Sequence, residues 1–213
     1  MDVVTHVLAP ALFAEPIESP TFDGFYYPRW RERAAILFGA VLPDLDAVPG
    51  LLETFGFSNQ PLFATYHRVA SHSIPGLIIV ALLAATIARL MPERLLLPSL
   101  RPKNQDLPRR NPFWTRLFGL ATMAAAFHFL GDWITAWGTL KPLWPFSHID
   151  VQLARVNSLE PVILGMTAGA WAVQHLALRK GYRKAGWTIA GVWLALVALY
   201  VILRPMVGRP AFV

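Results

Sequence analysis

Residues 117–137 read LFGLATMAAAFHFLGDWITAW, an apolar stretch whose only ionisable side chains are His128 and Asp132. The stretch is long enough to cross a bilayer as a helix, which takes roughly 20 residues. His128 and Asp132 stand four positions apart, so a helix places both on one face. Ionisable groups are costly in hydrocarbon and usually serve a function there. The stretch therefore predicts a membrane-spanning helix that carries a polar site.

Further apolar segments lie on both sides of this one. They cover residues 3–14, 34–52, 74–91, 161–178 and 187–203. The mean hydropathy of the 213-residue chain is +0.44 and 15% of its residues are charged, against about 25% in a typical soluble domain. We therefore predict an all-α, polytopic membrane bundle of about five to six apolar helices, with the lipid bilayer as its partner. Residues 1–213 form one domain in this prediction.

The positive charge of the chain is concentrated in three regions. Fourteen of the 19 lysines and arginines lie in residues 29–33, 89–116 and 179–184. Cytoplasmic loops of membrane proteins carry such an excess, so residues 92–116 are predicted to form a basic cytoplasmic loop, with the N-terminus outside. Because this distribution explains the net charge of +6, we expect no nucleic-acid partner. The absence of cysteine excludes disulfides and thiolate zinc sites.

Five of the six histidines lie beside acidic or hydroxyl residues, and the predicted topology brings all five to the outer side of a plasma (inner) membrane. Imidazole and carboxylate groups are typical ligands of zinc and related divalent metals. We therefore predict one or two divalent ions, with zinc favoured. The candidate ligands are His6, Asp44, His67, His72, His128 and Asp132. His175 adjoins the basic residues 179–184 and is predicted to be dispensable.

Each motif also has a plainer interpretation. His128 and Asp132 could be a buried hydrogen-bonded pair that joins helices. The sequence Pro43-Asp44-Leu45-Asp46 could be a helix-ending turn, although two carboxylates in an apolar run need a cation or hydrogen-bond donors.

Residues 67–73, HRVASHS, fit a loop that enters a helix, with Ser71 or Ser73 as the cap. The plainer interpretation is a polar interfacial loop. Arg68 could anchor the chain at the interface or hold a phosphate or carboxylate.

The sequence allows more than one role for each of three other residues. Asp2 is four positions before His6 but belongs to a chain terminus. His148 could be a ligand, a proton shuttle or a surface side chain. Glu160 could be a late ligand or a favourable charge at a helix N-terminus.

The order of these motifs resembles the YdjM-like inner-membrane proteins, a family regarded as metal-dependent hydrolases. The matching features, which extend over residues 1–178, are Thr5-His6, residues 39–46 (GAVLPDLD), residues 66–68 (YHR), residues 71–73 (SHS), residues 128–135 (HFLGDWIT) and residues 144–147 (WPFS). The resemblance implies a multi-pass membrane protein with a metal site.

A fainter resemblance is to zinc-dependent phospholipase C, which uses an early histidine, a separate aspartate, a histidine and a His-x-x-x-Asp pair. This chain lacks that family's N-terminal tryptophan ligand and its downstream His-x-x-x-Glu. One or two ions therefore fit better than three.

The sequence is consistent with three functions. The leading hypothesis is a membrane-bound metal-dependent hydrolase whose site faces outward, with Asp46 as general base and Arg68 holding an anionic group. The depth of the site and Arg68 favour a phosphoester or a lipid headgroup as substrate. The alternatives are a His/Asp-lined transporter or proton relay, and a non-enzymatic membrane protein with a structural metal.

Overall fold

The structure is a computed structural model that describes residues 3–16, 21–22, 25–26, 29–48, 55–57, 67–92, 113–135, 139–153, 155–157 and 160–204. Within these ranges the chain is helical except for loops and one short antiparallel ladder between β1 (Thr21–Phe22) and β2 (Phe25–Tyr26). The helices are α1 (Val3–Ala14), α2 (Arg29–Val41), the 3-10 helix η1 (Leu42–Ala47), α3 (Ile74–Leu90), α4 (Trp114–Ile134), α5 (Pro161–Arg179) and α6 (Arg183–Leu203). The predicted all-α bundle is confirmed. Most of the predicted basic loop lies outside the described residues.

The helix boundaries follow from local chemistry. Ser73 caps α3, and its hydroxyl accepts a hydrogen bond from the Gly76 N–H at 3.1 Å. Pro161 opens α5, where a missing N–H costs nothing. The segment predicted over residues 34–52 differs in the structure, because α2 already begins at Arg29 and tightens into η1 after Val41. Pro43 explains the change, since proline cannot donate the next α-helical hydrogen bond.

Within the described residues, three helices, α4, α5 and α6, are long and apolar enough to cross a membrane. Helix α3 has 17 residues, at the short end of the spanning range, and the apolar part of α1 is shorter still. Large apolar side chains remain exposed along α3, α5 and α6. Lipid is the environment that suits these faces.

Small residues hold α2, α3 and α4 together. Their shared core consists of Ala34, Ala35, Ala81, Ala84, Ala85, Ala88, Leu117 and Ala121. At Gly39 a Cβ atom would lie 2.5 Å from the Ala121 carbonyl oxygen, so only glycine permits this approach of α2 to α4. Such small-residue contacts are typical of helix packing in membranes, where backbones must come close.

Polar contacts define one end of this three-helix unit. Arg31 on α2 donates to the Ala88 carbonyl near the end of α3 at 3.1 Å, and Arg116 at the start of α4 pairs with Glu32 at 2.6 Å. Helix α3 therefore runs antiparallel to α2 and α4. The basic residues meet at this end, while the end of α2 and the start of α3 lie at the other. Which membrane face each end meets remains a prediction from loop charge.

Helix α1 is fastened to α5 and α6 through Gln174. The buried Gln174 amide donates to the Leu12 carbonyl at 2.7 Å and to the Gly186 carbonyl at 2.8 Å. Trp193 on α6 also donates to the Thr167 hydroxyl on α5 at 3.0 Å. The Gln174–Leu12 bond holds the first helix against the bundle and so helps to set the position of His6.

Candidate metal centre

Four predicted ligands meet at the end of the bundle opposite the basic contacts. Asp44, His72, His128 and Asp132 each offer a ligand atom, and these atoms all lie within 4.8 Å of one another. His72 Nε2 is 2.9 Å from His128 Nε2 and 3.1 Å from Asp132 Oδ2, and His128 Nε2 is 3.3 Å from Asp44 Oδ1. Ligands bound to one zinc ion at about 2.0–2.2 Å can have such separations. Sequence spacing predicted this convergence from η1, the loop before α3, and α4.

The hydrogen bonds of the two histidines direct a lone pair from each ring toward the other. His128 Nδ1 is 2.7 Å from the Ala40 carbonyl oxygen and must donate to it, which leaves Nε2 without a proton in the neutral ring. His72 Nδ1 lies 2.9 Å from the Ser71 hydroxyl oxygen and 3.4 Å from Asp46 Oδ2. Donation there leaves the His72 Nε2 lone pair facing the same point. Two lone pairs at this distance require a cation or a proton between them.

The charge of the surroundings also favours a cation. Burial lowers the pKa of His72, but Asp132 and Asp46 outweigh it and raise the pKa above its usual value. Three carboxylates, of Asp44, Asp46 and Asp132, surround His72. Arg68 contributes one guanidinium, whose Nη2 is 3.0 Å from Asp132 Oδ2. The local excess of negative charge is the condition under which a buried divalent ion is stable.

Asp132 uses its two oxygens in different directions. Oδ2 faces His72 and Arg68, while Oδ1 lies 3.3 Å from His6 Nε2. The His6 ring stacks on His128 with centroids 4.0 Å apart and an interplanar angle of 22°. His6 is therefore next to the four-residue cluster and reaches it through Asp132.

Asp46 lies behind His72 and organises residues 67–72. It accepts hydrogen bonds from His67 Nδ1 at 2.7 Å, from the Arg68 backbone N–H at 3.0 Å and from the Ser71 hydroxyl. Burial raises the pKa of Asp46, but the hydrogen bonds from His67, His72 and Ser71 hold it well below its usual range. In the structure, the Asp46 carboxylate and the His67 ring thus orient the loop, and the roles of Asp46 as general base and of His67 as ligand stay predictions.

Arg68 has a left-handed backbone, with φ at 65°. This conformation costs a non-glycine residue about 1–3 kcal/mol and persists where the surroundings determine it, often at functional sites. Here the Arg68 N–H is held by Asp46 and the guanidinium by Asp132. The turn therefore directs Arg68 into the bundle, as expected for a clamp rather than an interfacial anchor.

The centre opens on the side of Asp44. The Asp44 side chain is 30% exposed, whereas His72, His128 and Asp132 are 0–1% exposed. Burial raises the pKa of Asp44, but the adjacent His128 ring outweighs burial and lowers the pKa below its usual value, so the group is ionised at neutral pH. Among these four residues, Asp44 is therefore the one most accessible to solvent.

The other residues considered from the sequence do not belong to the four-residue cluster. The buried Glu160 carboxylate accepts a hydrogen bond from Tyr200 at 2.9 Å and pairs with Arg204 at 3.0 Å. His148 is exposed, and His175 stacks on Trp171 at 5.3 Å. Asp2 lies outside the described residues.

Two groups that support the histidines were not predicted from the sequence. The carbonyl of Ala40 fixes the His128 ring, but every residue has a carbonyl, so composition carries no signal for it. Ser71 was predicted only as a possible cap, yet its hydroxyl bridges Asp46 and His72. The Ser-His pair in the loop was the available clue.

Comparison with known proteins identifies a family. A family model described as YdjM inner membrane protein matches residues 1–210. No curated protein and no solved structure matches the chain. The matched region includes every residue of the centre.

Proposed function

The chain belongs to the YdjM inner membrane protein family, and we propose that it is a membrane-embedded, metal-dependent hydrolase of phosphoesters whose site faces the outer side. One observation carries the proposal. The Nε2 atoms of His72 and His128 lie 2.9 Å apart, each histidine has a partner at Nδ1, and two carboxylates complete the cluster. A divalent cation bound between the two Nε2 atoms would accept both lone pairs and balance the charge of the carboxylates.

Three buried side chains would hold the ion. His72 and His128 supply neutral nitrogen donors and Asp132 supplies charge, a set close to the two-histidine, one-carboxylate pattern of catalytic zinc sites. Asp46 would support the site from behind, because it fixes the loop and the Nδ1 proton of His72. His6 would support it through Asp132 Oδ1. A zinc ion bound here supplies Lewis acidity, which polarises a phosphoryl oxygen and lowers the pKa of water toward about 7.

The remaining groups have roles that follow from position. Asp44 is ionised and partly exposed at the opening, so it can accept a proton from an attacking water or complete the coordination of the ion. Arg68 is held at Asp132 Oδ2, on the inner side of the same cluster. Its guanidinium can share its donors with a phosphate oxygen, for which its geometry is well suited.

A structural metal is the second candidate, and one observation favours it. Asp44, His72, His128 and Asp132 together number four, and four protein ligands close a structural zinc site. The exposure of Asp44 favours the catalytic alternative, since a catalytic site keeps one position open to water or substrate. Replacement of Asp44 separates the two.

The experiment uses purified full-length protein in detergent, stripped with chelator and reloaded with zinc. Metal content and hydrolysis are measured on a panel of phosphomonoesters and phosphodiesters, for the wild type, His128→Ala and Asp44→Asn. We expect about one or two ions per chain, lost in His128→Ala, and zinc-dependent hydrolysis that Asp44→Asn abolishes while it keeps its metal. A chain that binds no metal and folds equally well in chelator contradicts the proposal. Metal binding without hydrolysis of any ester, and unfolding of Asp44→Asn, would identify a structural metal.

A further inference from the structure

An apolar groove lies along the outside of the bundle between α1 and α2. Its volume is about 400 Å³, within the range of roughly 300–1,000 Å³ that is typical of ligand pockets. Leu8 and Ala11 on α1, Leu37 on α2 and Trp171 on α5 line it. The apolar lining excludes a polar headgroup from most of its length.

The two ends of the groove differ. At one end Arg33 pairs with Glu15 at 3.0 Å, and both line the groove. At the other end Val7 lines the groove directly after His6, whose ring stacks on His128. Val7 and Glu15 are separated by about 12 Å at 1.5 Å of helix rise per residue. The groove therefore extends from beside the candidate metal centre toward the basic end of the bundle, where the Arg33–Glu15 ion pair and His175 line it.

An apolar stripe joins the groove to the opening of the site. Leu37 is 45% exposed, and Val41 follows one helical turn later on α2. Helix η1 begins directly after Val41 and carries Asp44 in its first turn. On the opposite side Val4 is 53% exposed, one turn before Leu8. Apolar residues therefore continue along α2 from the groove to η1, the helix that carries Asp44.

We propose that this groove holds one acyl chain of a phosphate-bearing membrane lipid, with the headgroup phosphoester placed at Asp44. The proposal rests on the hydrolase function above and names its substrate class. Exposed apolar surface on a membrane bundle meets acyl chains rather than water, so the groove is filled by hydrocarbon. At the end formed by Arg33 and Glu15 the guanidinium is already paired with a carboxylate, so we place the headgroup at the other end, toward Asp44. The phosphate then lies beside the centre that would act on it.

Two variants narrow the groove from opposite sides. Ala11→Phe adds bulk from α1, where Ala11 is half-buried, and Leu37→Trp adds bulk from the exposed side of α2. Ala195→Phe is the matched control, because Ala195 is exposed on α6 and does not line the groove. Gel filtration and thermal unfolding confirm that each variant is folded. Leu37→Trp keeps the test valid if Ala11→Phe does not fold.

The first readout is kinetic. Hydrolysis is compared for a diacyl phosphatidylglycerol in mixed micelles and for bis(p-nitrophenyl) phosphate, which has no acyl chain. We expect KM for the lipid to rise roughly tenfold in the narrowed variants, about the effect of removing two methylene groups from apolar surroundings. The control and the chain-free ester should be unchanged. Equal effects on both substrates would overturn the proposal.

The second readout is independent of activity. The protein is placed in vesicles of phosphatidylethanolamine and phosphatidylglycerol that contain phosphatidylglycerol with a photoactivatable acyl chain. Labelling should concentrate in residues 7–15 and 33–37 and disappear in Ala11→Phe but persist in Ala195→Phe. If the protein hydrolyses the chain-free ester but Ala11→Phe is labelled as strongly as the wild type, the hydrolase function is supported and the lipid site in the groove is refuted. If labelling is confined to the groove but neither ester is hydrolysed, the lipid site is supported and the hydrolase function is refuted.

Discussion

Replacing Gly76 by alanine should weaken metal binding at the proposed centre without changing any of the proposed ligands. Gly76 lies in the first turn of α3, and a Cβ atom there would be 1.8 Å from the Ala70 carbonyl oxygen and 3.1 Å from the Ser71 Cα. The same carbonyl accepts hydrogen bonds from the Ser73 N–H at 3.2 Å and the Ser73 hydroxyl at 2.7 Å. Relief of the clash must therefore move the turn that immediately precedes His72.

The displacement can be estimated from the contact distances. An ordinary contact begins near 3.4 Å, so the Cβ atom and the Ala70 oxygen must separate by about 1.6 Å. Overpacking of this kind typically costs about 1–3 kcal/mol of stability. Because Ser71 bridges Asp46 and His72, the movement also disturbs the support of a ligand, which typically costs about 10–100-fold in metal affinity. We expect both effects in Gly76→Ala.

Zinc affinity is measured by competition with a chelating indicator, and stability by thermal unfolding in detergent with and without zinc. Gly169→Ala is the control, since a Cβ atom at Gly169 meets nothing within 4 Å and alanine favours a helix by up to about 1 kcal/mol. The zinc-dependent gain in stability should shrink in Gly76→Ala and persist in Gly169→Ala. Wild-type zinc affinity in a folded Gly76→Ala protein would refute the role assigned to this turn.

Three further predictions test other parts of the molecule. His128→Ala should remove bound metal while His175→Ala keeps it; equal loss in both would mean that the site is misplaced. Gln174→Leu should lower stability by about 1–2 kcal/mol, because it deletes two buried hydrogen bonds, and should also weaken zinc affinity, because it loosens α1 and with it His6; wild-type zinc affinity in a destabilised Gln174→Leu protein would contradict the coupling of α1 to the site. A cysteine introduced at Ser58 should react with an impermeant reagent added from outside and one at Asn104 should not; the reverse pattern would overturn the topology.

The helices could be predicted from sequence because each is a long apolar run bounded by strong local signals. Residues 3–14 and 74–91 match α1 and α3 to within one residue. The start of α2 was missed, since Arg31, Glu32 and Arg33 make its first turns polar. Those charges bind partners at the ends of neighbouring helices, as Arg116 does for Glu32, and such tertiary contacts have no local signature.

The meeting of the four ligands could be anticipated because helix spacing and loop charge place them at one end. The sequence distinguishes Asp44, a candidate ligand, from Asp46, a candidate general base, but it does not give the direction of either side chain. Helix η1 directs Asp44 toward His128 and Asp46 toward His67 and Ser71. That difference depends on the 3-10 geometry after Pro43, which periodicity arguments for α-helices do not describe.

Asp132 connects the centre to the stability of the whole bundle. Asp132 lies on α4, and its carboxylate contacts His6 on α1 and both His72 and Arg68 in the loop before α3. These segments are far apart in sequence, and the charges they bring together are costly to bury without a compensating cation. A bound divalent ion would therefore favour the assembled bundle over states in which α1 or residues 67–72 detach. Metal binding and the docking of α1 should accordingly be coupled, so that chelation loosens α1 while α5 and α6, which contribute no ligand to the four-residue cluster, stay packed.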